Sequence, residues 1–444
     1  MPEVTLAQVL EARDRRAELQ QTLLRTYACP LVSFTMNIAG PAKYSQLIER
    51  AFRVGLLALD DALPKEFILA RKIETSVTGC QAIYCIKGLS ATGLKKLCVN
   101  IETASPIGRL FDMDVIDVDG RILKRATERG CIVCGAPGRA CAAGRLHSVS
   151  ELQKVTTKIL FDYFAQTDAK RIAALAVQSL IDEVNTTPKP GLVDRRNNGS
   201  HRDMNISTFL TSAEALEPYF QNCVNIGQLT AAQTPEETFA LLRAAGLSAE
   251  KEMYTATGGV NTHKGIIYTL GVLCGALGRL WTPENPFAPS SRLFDECVQM
   301  VKLSVASDIT AFDGTTAGQR LYLNYGLTGI RGEVAAGLPS VKNISLPAYQ
   351  NGLRAGLSAN DAGAIALLHL IAEVKDTNLY HRGGVEGAKF AADAARILLQ
   401  ENEFPRREQL EALDDAFIAR NLSPGGCADL LAVTYFVWEL ISHP

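Results

Sequence analysis

The 444-residue chain has no basic excess, few histidines, no long apolar run and no low-complexity tract, and each absence removes a class of function. Lys and Arg number 45 and Asp and Glu 47, for a net charge of −2. A sequence-independent nucleic-acid coat carries a large basic surplus, so nucleic acid is not an expected partner. Glu3, Glu11, Arg13, Asp14, Arg15 and Arg16 interrupt the first twenty residues, which argues against a secretory signal peptide there. The longest uncharged stretch with helical spacing runs from Gly265 to Gly278, too short to cross a bilayer; it is expected to be a helix buried on all sides. Eleven cysteines without a signal peptide point to free thiols in a reducing cytosol, so the expected location is cytoplasmic, with no membrane partner.

What is there is ordinary globular material. Hydrophobic residues are 47% and charged residues 21%, enough for a sizeable core; the length suggests about three domains, with two or one large fold also allowed. The six histidines are informative because they are scarce. His147, His201, His263 and His381 fall in polar or Gly-rich stretches. His369 lies in an apolar helix, where a satisfied structural histidine is the simpler role, and His443 is in the tail.

The chain reads as two parts. The first mixes periods: a helix over Thr5–Leu24, a strand over Leu31–Ile38, a helix over Tyr44–Leu63, a hairpin over Ile73–Lys87 turning at Thr78-Gly79, and a second hairpin over Phe111–Leu123 turning at Asp119-Gly120. After residue 168 the apolar residues recur at three and four, as in Ala173–Val184, Glu236–Glu252, Gly265–Trp281 and Ala362–Val374. The expectation is an α+β N-terminal domain (1–167), with a small mixed or antiparallel sheet and helices, followed by an all-α C-terminal domain (168–444). Its boundary falls in the polar stretch Gln166-Thr-Asp-Ala169, between two helices. No internal repeat is evident.

The first part carries its chemistry in Gly108-Arg109-Leu-Phe-Asp112-Met-Asp114-Val-Ile116. Aspartates at i and i+2 of a strand share a face, with Phe111, Met113 and Val115 on the other. Such a pair presents carboxylates to Mg²⁺ and a substrate phosphate, with Arg109 available for phosphate charge; taken alone it is equally a solvated strand face. Further on, Cys131, Cys134, Cys141 and His147 form a Cys₃His set. Its spacing matches no common zinc finger closely, so free thiols are the expectation and a structural Zn²⁺ the alternative.

In the second part, a long polar loop, Thr187-Pro-Lys189-Pro-Gly-Leu-Val-Asp194-Arg195-Arg-Asn-Asn-Gly-Ser-His201-Arg-Asp203, mixes cations with acids, as suits a metal–polyphosphate ligand. Its prolines argue against disorder. Thr257-Gly-Gly-Val-Asn261-Thr-His263-Lys264 opens the apolar helix at Gly265, an anion site or a plain helix cap. It is not a P-loop, because the Gly-x₄-Gly-Lys-Ser/Thr spacing is missing. Gly326–Glu333 with Arg331, Asp376–Gly384 with Asn378, His381 and Arg382, and Ser423–Asp429 are each Gly-bearing and beside a helix. Together they suggest a pocket ringed by helix ends.

These residues carry a resemblance. Thr-Pro-Lys-Pro-Gly-Leu-Val-Asp (187–194), Asn-Thr-His-Lys-Gly (261–265), Gly-Ile-Arg-Gly-Glu (329–333), Asp-Thr-Asn (376–378) and His-Arg-Gly-Gly (381–384) resemble triphosphoribosyl-dephospho-CoA synthase. Asn-Ile-Ala-Gly-Pro-Ala-Lys (37–43) and Gly-Arg-Leu-Phe-Asp-Met-Asp-Val (108–115) resemble holo-citrate lyase synthase, the apo-citrate lyase phosphoribosyl-dephospho-CoA transferase. The whole chain is similar to a natural fusion of the two, in which tethering raises the effective concentration of one site near the other.

The resemblance implies that ATP and 3'-dephospho-CoA give 2'-(5''-triphosphoribosyl)-3'-dephospho-CoA and adenine. A serine of the citrate lyase acyl carrier protein then accepts the phosphoribosyl-dephospho-CoA group and pyrophosphate leaves. It implies Lys189, Arg195, Lys264 and Arg331 for phosphates, with His201, Asn261, Asp376 and Arg382 as further substrate contacts. Asp194, Asp203 and Glu333 are implied for metal or general base, and His263 for protonating adenine or touching phosphate. Asp112 and Asp114 are implied as Mg²⁺ ligands beside Arg109. Three readings compete: the same chemistry serving malonate decarboxylase, a non-catalytic nucleotide-binding regulator with a zinc module, and a hydrolase of an N-glycosidic bond.

Overall fold

The computed structural model describes residues 3–287, 290–311 and 313–442; His443 lies outside them. The chain divides into two compact units, Met1–Ala165 and Gln166–Pro444.

The first unit runs α1 (Leu6–Tyr27), β1 (Leu31–Met36), α2 (Gln46–Ala62), β2 (Ile68–Ser76), β3 (Gly79–Ile86), α3 (Ala91–Thr103), β4 (Phe111–Ile116) and α4 (Gly138–Gly144), then enters α5 (Val149–Asn185). Thr5 starts α1 through a capping box: its side chain accepts from the Gln8 N–H while Gln8 accepts from the Thr5 N–H. The sheet is antiparallel throughout, in the order β2-β3-β1-β4. Strand alternation divides its side chains. Leu31, Ile83, Cys85 and Ile116 form an apolar layer with Leu23 of α1 and Cys29. Phe34 takes the opposite face, stacked on Phe52 of α2 at 4.8 Å and edge-on to Phe111 at 5.4 Å. Asp112 and Asp114 pair in register with Thr35 and Ser33, on the α1 side, while Phe111, Met113 and Val115 are buried behind them.

Three expectations are corrected. The first hairpin begins at Ile68 and turns through Val77-Thr78, with Ser76 opposite Gly79. Strand β2 is a mostly exposed edge whose charges (Arg71, Lys72, Glu74) mask its period. The second hairpin has no returning strand. The turn forms, with the Gly120 N–H on the Asp117 carbonyl at 2.9 Å, but the return is one isolated bridge, Ile116–Ile122. Side chains occupy the outer edge of β4 instead. The Met113 N–H donates to Glu102 Oε1 (2.8 Å), its carbonyl accepts from Lys95 Nζ (3.0 Å), and the Phe111 carbonyl accepts from Arg129 (2.6 Å). The polar stretch 166–169 does not separate two helices, because α5 continues through it. It contains no Gly or Pro, the apolar spacing resumes at Ala169, Ile172, Ala173 and Ala176, and buried Asp168 accepts from Trp281 Nε1 at 2.8 Å.

The second unit is helical. After α5 come α6 (Ile206–Ala215), α7 (Glu217–Leu229), α8 (Pro235–Ala256), α9 (Lys264–Leu280), α10 (Ser290–Thr310), α11 (Ala317–Tyr325), α12 (Gly329–Ala335), α13 (Leu346–Arg354), α14 (Ala359–Glu373), α15 (Thr377–Glu401), α16 (Arg407–Ala419) and α17 (Gly425–Ser442). Helix α9 is buried on all sides from Thr269 to Gly278, as the uncharged stretch Gly265–Gly278 predicts. His369 is half-buried on α14. Helix α15 is broken at Gly384 (φ 63°, ψ −161°). Helix α17 is long and apolar enough to span a bilayer, yet residues from Cys427 to Leu440 lie in the core, as expected of a central core helix.

Candidate active sites

A cavity of about 710 Å³ in the second unit gathers much of what the sequence singled out: Lys189, His201, Asp203, Asn261, His263, Lys264, Glu333, Asp376 and Arg382 all line it. The N-terminal residues of α9, α15 and α17 line it too, so three positive helix ends share one space.

The polar loop that feeds it is buried from Thr186 to Asp194. Asp194 is the reason. It accepts from the N–H groups of Lys189 (2.9 Å), Arg196 (2.7 Å) and Asn197 (3.1 Å), so its carboxylate winds the loop and does not line the cavity. Arg195 likewise stays outside, on Asn360 at 3.0 Å. Lys189 is 1% exposed and pairs with Glu183, whose carboxyl is pushed up by burial and held down by this lysine. Arg331 lies in a neighbouring cavity of about 280 Å³, paired with Asp308 at 3.3 Å; Lys264 borders both spaces and pairs with Glu250 at 2.9 Å. His381 is exposed and lines neither.

Two histidines in the cavity wall are neutral. His201 Nδ1 receives Arg382 Nη2 at 3.2 Å. A guanidinium can only donate, so Nδ1 is the acceptor and Nε2 carries the proton toward Ser423 Oγ at 2.9 Å. Burial and Arg382 push its pKa down to about 4. His263, just ahead of α9, holds Ser212 Oγ at 2.8 Å through Nδ1 and packs edge-on to Phe209 at 5.2 Å. Burial, then Lys189, push it down to about 3, and its buried Nε2 has no hydrogen-bond partner among the described residues. A neutral imidazole with a free nitrogen suits hydrogen bonding to a ligand better than storing a proton.

The carboxylates differ in duty. Asp376 caps α15, accepting from the Asn378 and Leu379 N–H groups, and reaches the Cys427 N–H in α17 at 2.8 Å. Glu333 accepts from the Ser340 hydroxyl at 2.7 Å. Asp429 closes the Gly-bearing stretch Ser423–Asp429, in which nothing local marks it as a site residue. It lines the cavity, and burial together with Glu183 and Asp376 pushes its carboxyl well above the usual range. Glu183 was missed altogether. Its one sequence signal is an acid in the last turn of an apolar helix, directly before the polar loop.

The first unit has its own cavity, of about 1180 Å³, lined by Arg109, Asp112, Asp114, Lys95, Arg125 and Arg129 and also by Cys131, Cys141 and His147. Asp112 is pushed up by desolvation and by Asp114; Lys95 Nζ sits 3.7 Å from Asp114. Arg109 donates to the Gly130 carbonyl at 2.6 Å. Sequence reasoning missed buried Glu102, which pairs with Arg125 (2.6 Å) and Arg129 (2.8 Å), because nothing local marks a helix-borne acid as a partner for distant arginines.

The sequence model of the ATP:dephospho-CoA triphosphoribosyl transferase family (CitG) matches residues 169–444, and that of the apo-citrate lyase phosphoribosyl-dephospho-CoA transferase family (CitX) matches residues 4–163. Protein CitXG of Haemophilus influenzae is 35% identical, with 98% of this chain aligned to 96% of that protein. Protein CitXG of Leuconostoc mesenteroides subsp. cremoris is 29% identical over 99% of this chain and 97% of that protein. The 2-(5''-triphosphoribosyl)-3'-dephosphocoenzyme-A synthase of Pectobacterium atrosepticum is 40% identical over 65% of this chain and 95% of that protein.

Proposed function

The chain belongs to the ATP:dephospho-CoA triphosphoribosyl transferase family and, in its first part, to the apo-citrate lyase phosphoribosyl-dephospho-CoA transferase family, and we propose that it performs the two reactions in sequence as a bifunctional transferase. Residues 168–444 form 2'-(5''-triphosphoribosyl)-3'-dephospho-CoA from ATP and 3'-dephospho-CoA, releasing adenine. Residues 1–167 pass the phosphoribosyl-dephospho-CoA group to a serine of the citrate lyase acyl carrier protein, releasing pyrophosphate. The observation that carries this reading is the cavity where three helix N-termini, Lys264 and Arg382 meet Asp429, Asp203 and Glu333.

In the first reaction the 2'-hydroxyl of dephospho-CoA attacks C1'' of the ATP ribose and adenine departs. The helix ends, Lys264 and Arg382 hold the triphosphate. The carboxylate of Glu333 favours positive charge developing on the ribose, and Asp203 or Glu333 takes the hydroxyl proton. His263, through its free Nε2, contacts the purine or a phosphate. In the second reaction Arg109 grips phosphate charge beside Asp112 and Asp114. The donors suit Mg²⁺: desolvation, then the neighbouring Asp114, push the Asp112 carboxyl up, and a divalent cation offsets both. Bound by Asp112 and Asp114, and by Asp203 in the second unit, Mg²⁺ supplies neutralisation of phosphate charge. The proposed setting is cytoplasmic.

The test is incubation with ATP, dephospho-CoA and Mg²⁺, followed by mass spectrometry. Adenine and the triphosphoribosyl conjugate are expected without carrier protein, and a labelled serine with apo-citrate lyase carrier protein. Free ribose triphosphate in place of the conjugate would identify a hydrolase, and labelling only of a malonate decarboxylase carrier would reassign the acceptor.

A further inference from the structure

The segment between β4 and α5 has almost no core. From Asp117 to Ser148 the single buried residue is Cys141, and the only helix is the seven-residue α4. Yet this segment supplies Arg125 and Arg129 to Glu102 and the Gly130 carbonyl to Arg109, so its position matters to the cavity that holds Asp112 and Asp114. A stretch that buries so little needs some other cross-link to be held in place.

Four potential ligands converge there. One ligand atom each from Cys131, Cys134, Cys141 and His147 lies within 4.8 Å of the others. Cys134 Sγ is 3.5 Å from Cys141 Sγ and 3.2 Å from His147 Nε2. With Zn–S about 2.3 Å and Zn–N about 2.0 Å, the ligand atoms of a tetrahedral site stand about 3.5–3.8 Å apart. The backbone is wound to match. Cys131-Ile-Val-Cys134-Gly135 forms a tight turn in which the Cys131 carbonyl accepts from the Gly135 N–H (3.0 Å) and Gly135 takes φ +75°. The Val133 N–H points at Cys131 Sγ at 3.4 Å, and the turn is closed by the Cys131 N–H on the Ala136 carbonyl (2.6 Å) and a Gly130–Pro137 bridge. An N–H aimed at sulfur stabilises a thiolate ligand.

We propose that Cys131, Cys134, Cys141 and His147 bind one structural Zn²⁺, which pins the arginine-bearing segment beside the aspartate pair. Three thiolates and an imidazole fill a tetrahedral shell and leave no open position, so the ion does not take part in either reaction. Soft sulfur ligands also exclude Mg²⁺ from this site. The expectation of free thiols rested on sequence spacing; the fold gathers them because α4 carries Cys141 back against the Cys131–Cys134 turn.

The experiment uses the full chain purified under reducing conditions. Elemental analysis is expected to find about one zinc ion per chain. Replacement by Co²⁺ should give the visible bands of a tetrahedral thiolate site. Cys134→Ser and His147→Ala should each lose the metal and carrier labelling while adenine release persists, which also shows that the second unit has folded. Absence of zinc together with absence of a cobalt spectrum in the unaltered chain overturns the proposal. So does a metal content that neither variant changes, or a metal-free Cys134–Cys141 disulfide.

Discussion

The Asp429 carboxylate lies against the α-carbon of Gly265: a methyl group added there would fall 2.0 Å from Oδ2 and 3.1 Å from Cγ. Glycine in the first turn of α9 is therefore a matter of contact, and it lets an acid from α17 approach the positive end of a second helix. Gly265→Ala should displace Asp429 and reduce adenine release by on the order of a hundredfold or more, given how steeply rate follows placement. Circular dichroism should remain helical, and carrier labelling from preformed conjugate should be unchanged.

The aspartates of β4 allow the complementary separation. Asp112→Asn with Asp114→Asn keeps the strand face polar and nearly isosteric, so the sheet should stay intact. Carrier labelling should disappear and adenine release continue at the original rate. Lys264→Ala should do the reverse when preformed conjugate is supplied. A folded variant in which both activities fall together would mean that the division into two sites is wrong.

Lys189 and Glu183 form a buried pair, so removing one partner should cost more than removing both. Lys189→Met leaves a carboxylate in the interior and should destabilise the second unit by about 3–5 kcal/mol. Adding Glu183→Gln should recover much of that. The loss in the single variant should shrink as pH falls, because an unpaired buried carboxyl binds its proton more tightly folded than unfolded. Urea unfolding followed by tryptophan fluorescence reads this selectively, since the two tryptophans, Trp281 and Trp438, both lie in the second unit.

Burial of His263 makes a prediction of opposite sign. Its folded pKa is about 3 and the unfolded value about 6.5, so between these the unfolded chain binds the extra proton. The stability it contributes is complete above pH 6.5 and is lost as pH falls toward 3. The slope is about 1.4 kcal/mol per pH unit. His263→Gln should remove that slope from the difference between pH 6 and pH 4.5. An unchanged slope would place the imidazole in solvent.

Local signals reached a good deal of this molecule. The capped start of α1, the alternation of β4 and the uncharged circumference of α9 are written in neighbouring residues, because helix and strand periods decide which side chains share a face. The motif groups around Lys189, His263, Arg382 and Asp376 were legible as helix-end stretches of mixed charge. What each member does was not. Asp194 and Asp376 look like ligands in sequence and spend their oxygens on backbone N–H groups, while Asp429 closes a stretch marked mainly by its glycines and Glu183 sits in a helix that reads as plain core.

The division has a physical origin. Residue order sets local conformation, charge balance and the set of groups available for chemistry, all of which depend on neighbours within a turn or two. Asp194 is spent on N–H groups two to five residues away and Glu183 on a lysine six residues on, but whether a carboxylate is left raised in a cavity depends on residues far off in the chain. Asp429 meets Gly265, Asp376 and Glu183 only when α17, α9, α15 and α5 pack together. In the same way β4 keeps a single strand partner because Glu102, Lys95 and Arg129 reach its free edge first, and four scattered ligands become one site only when α4 folds back on the Cys131 turn.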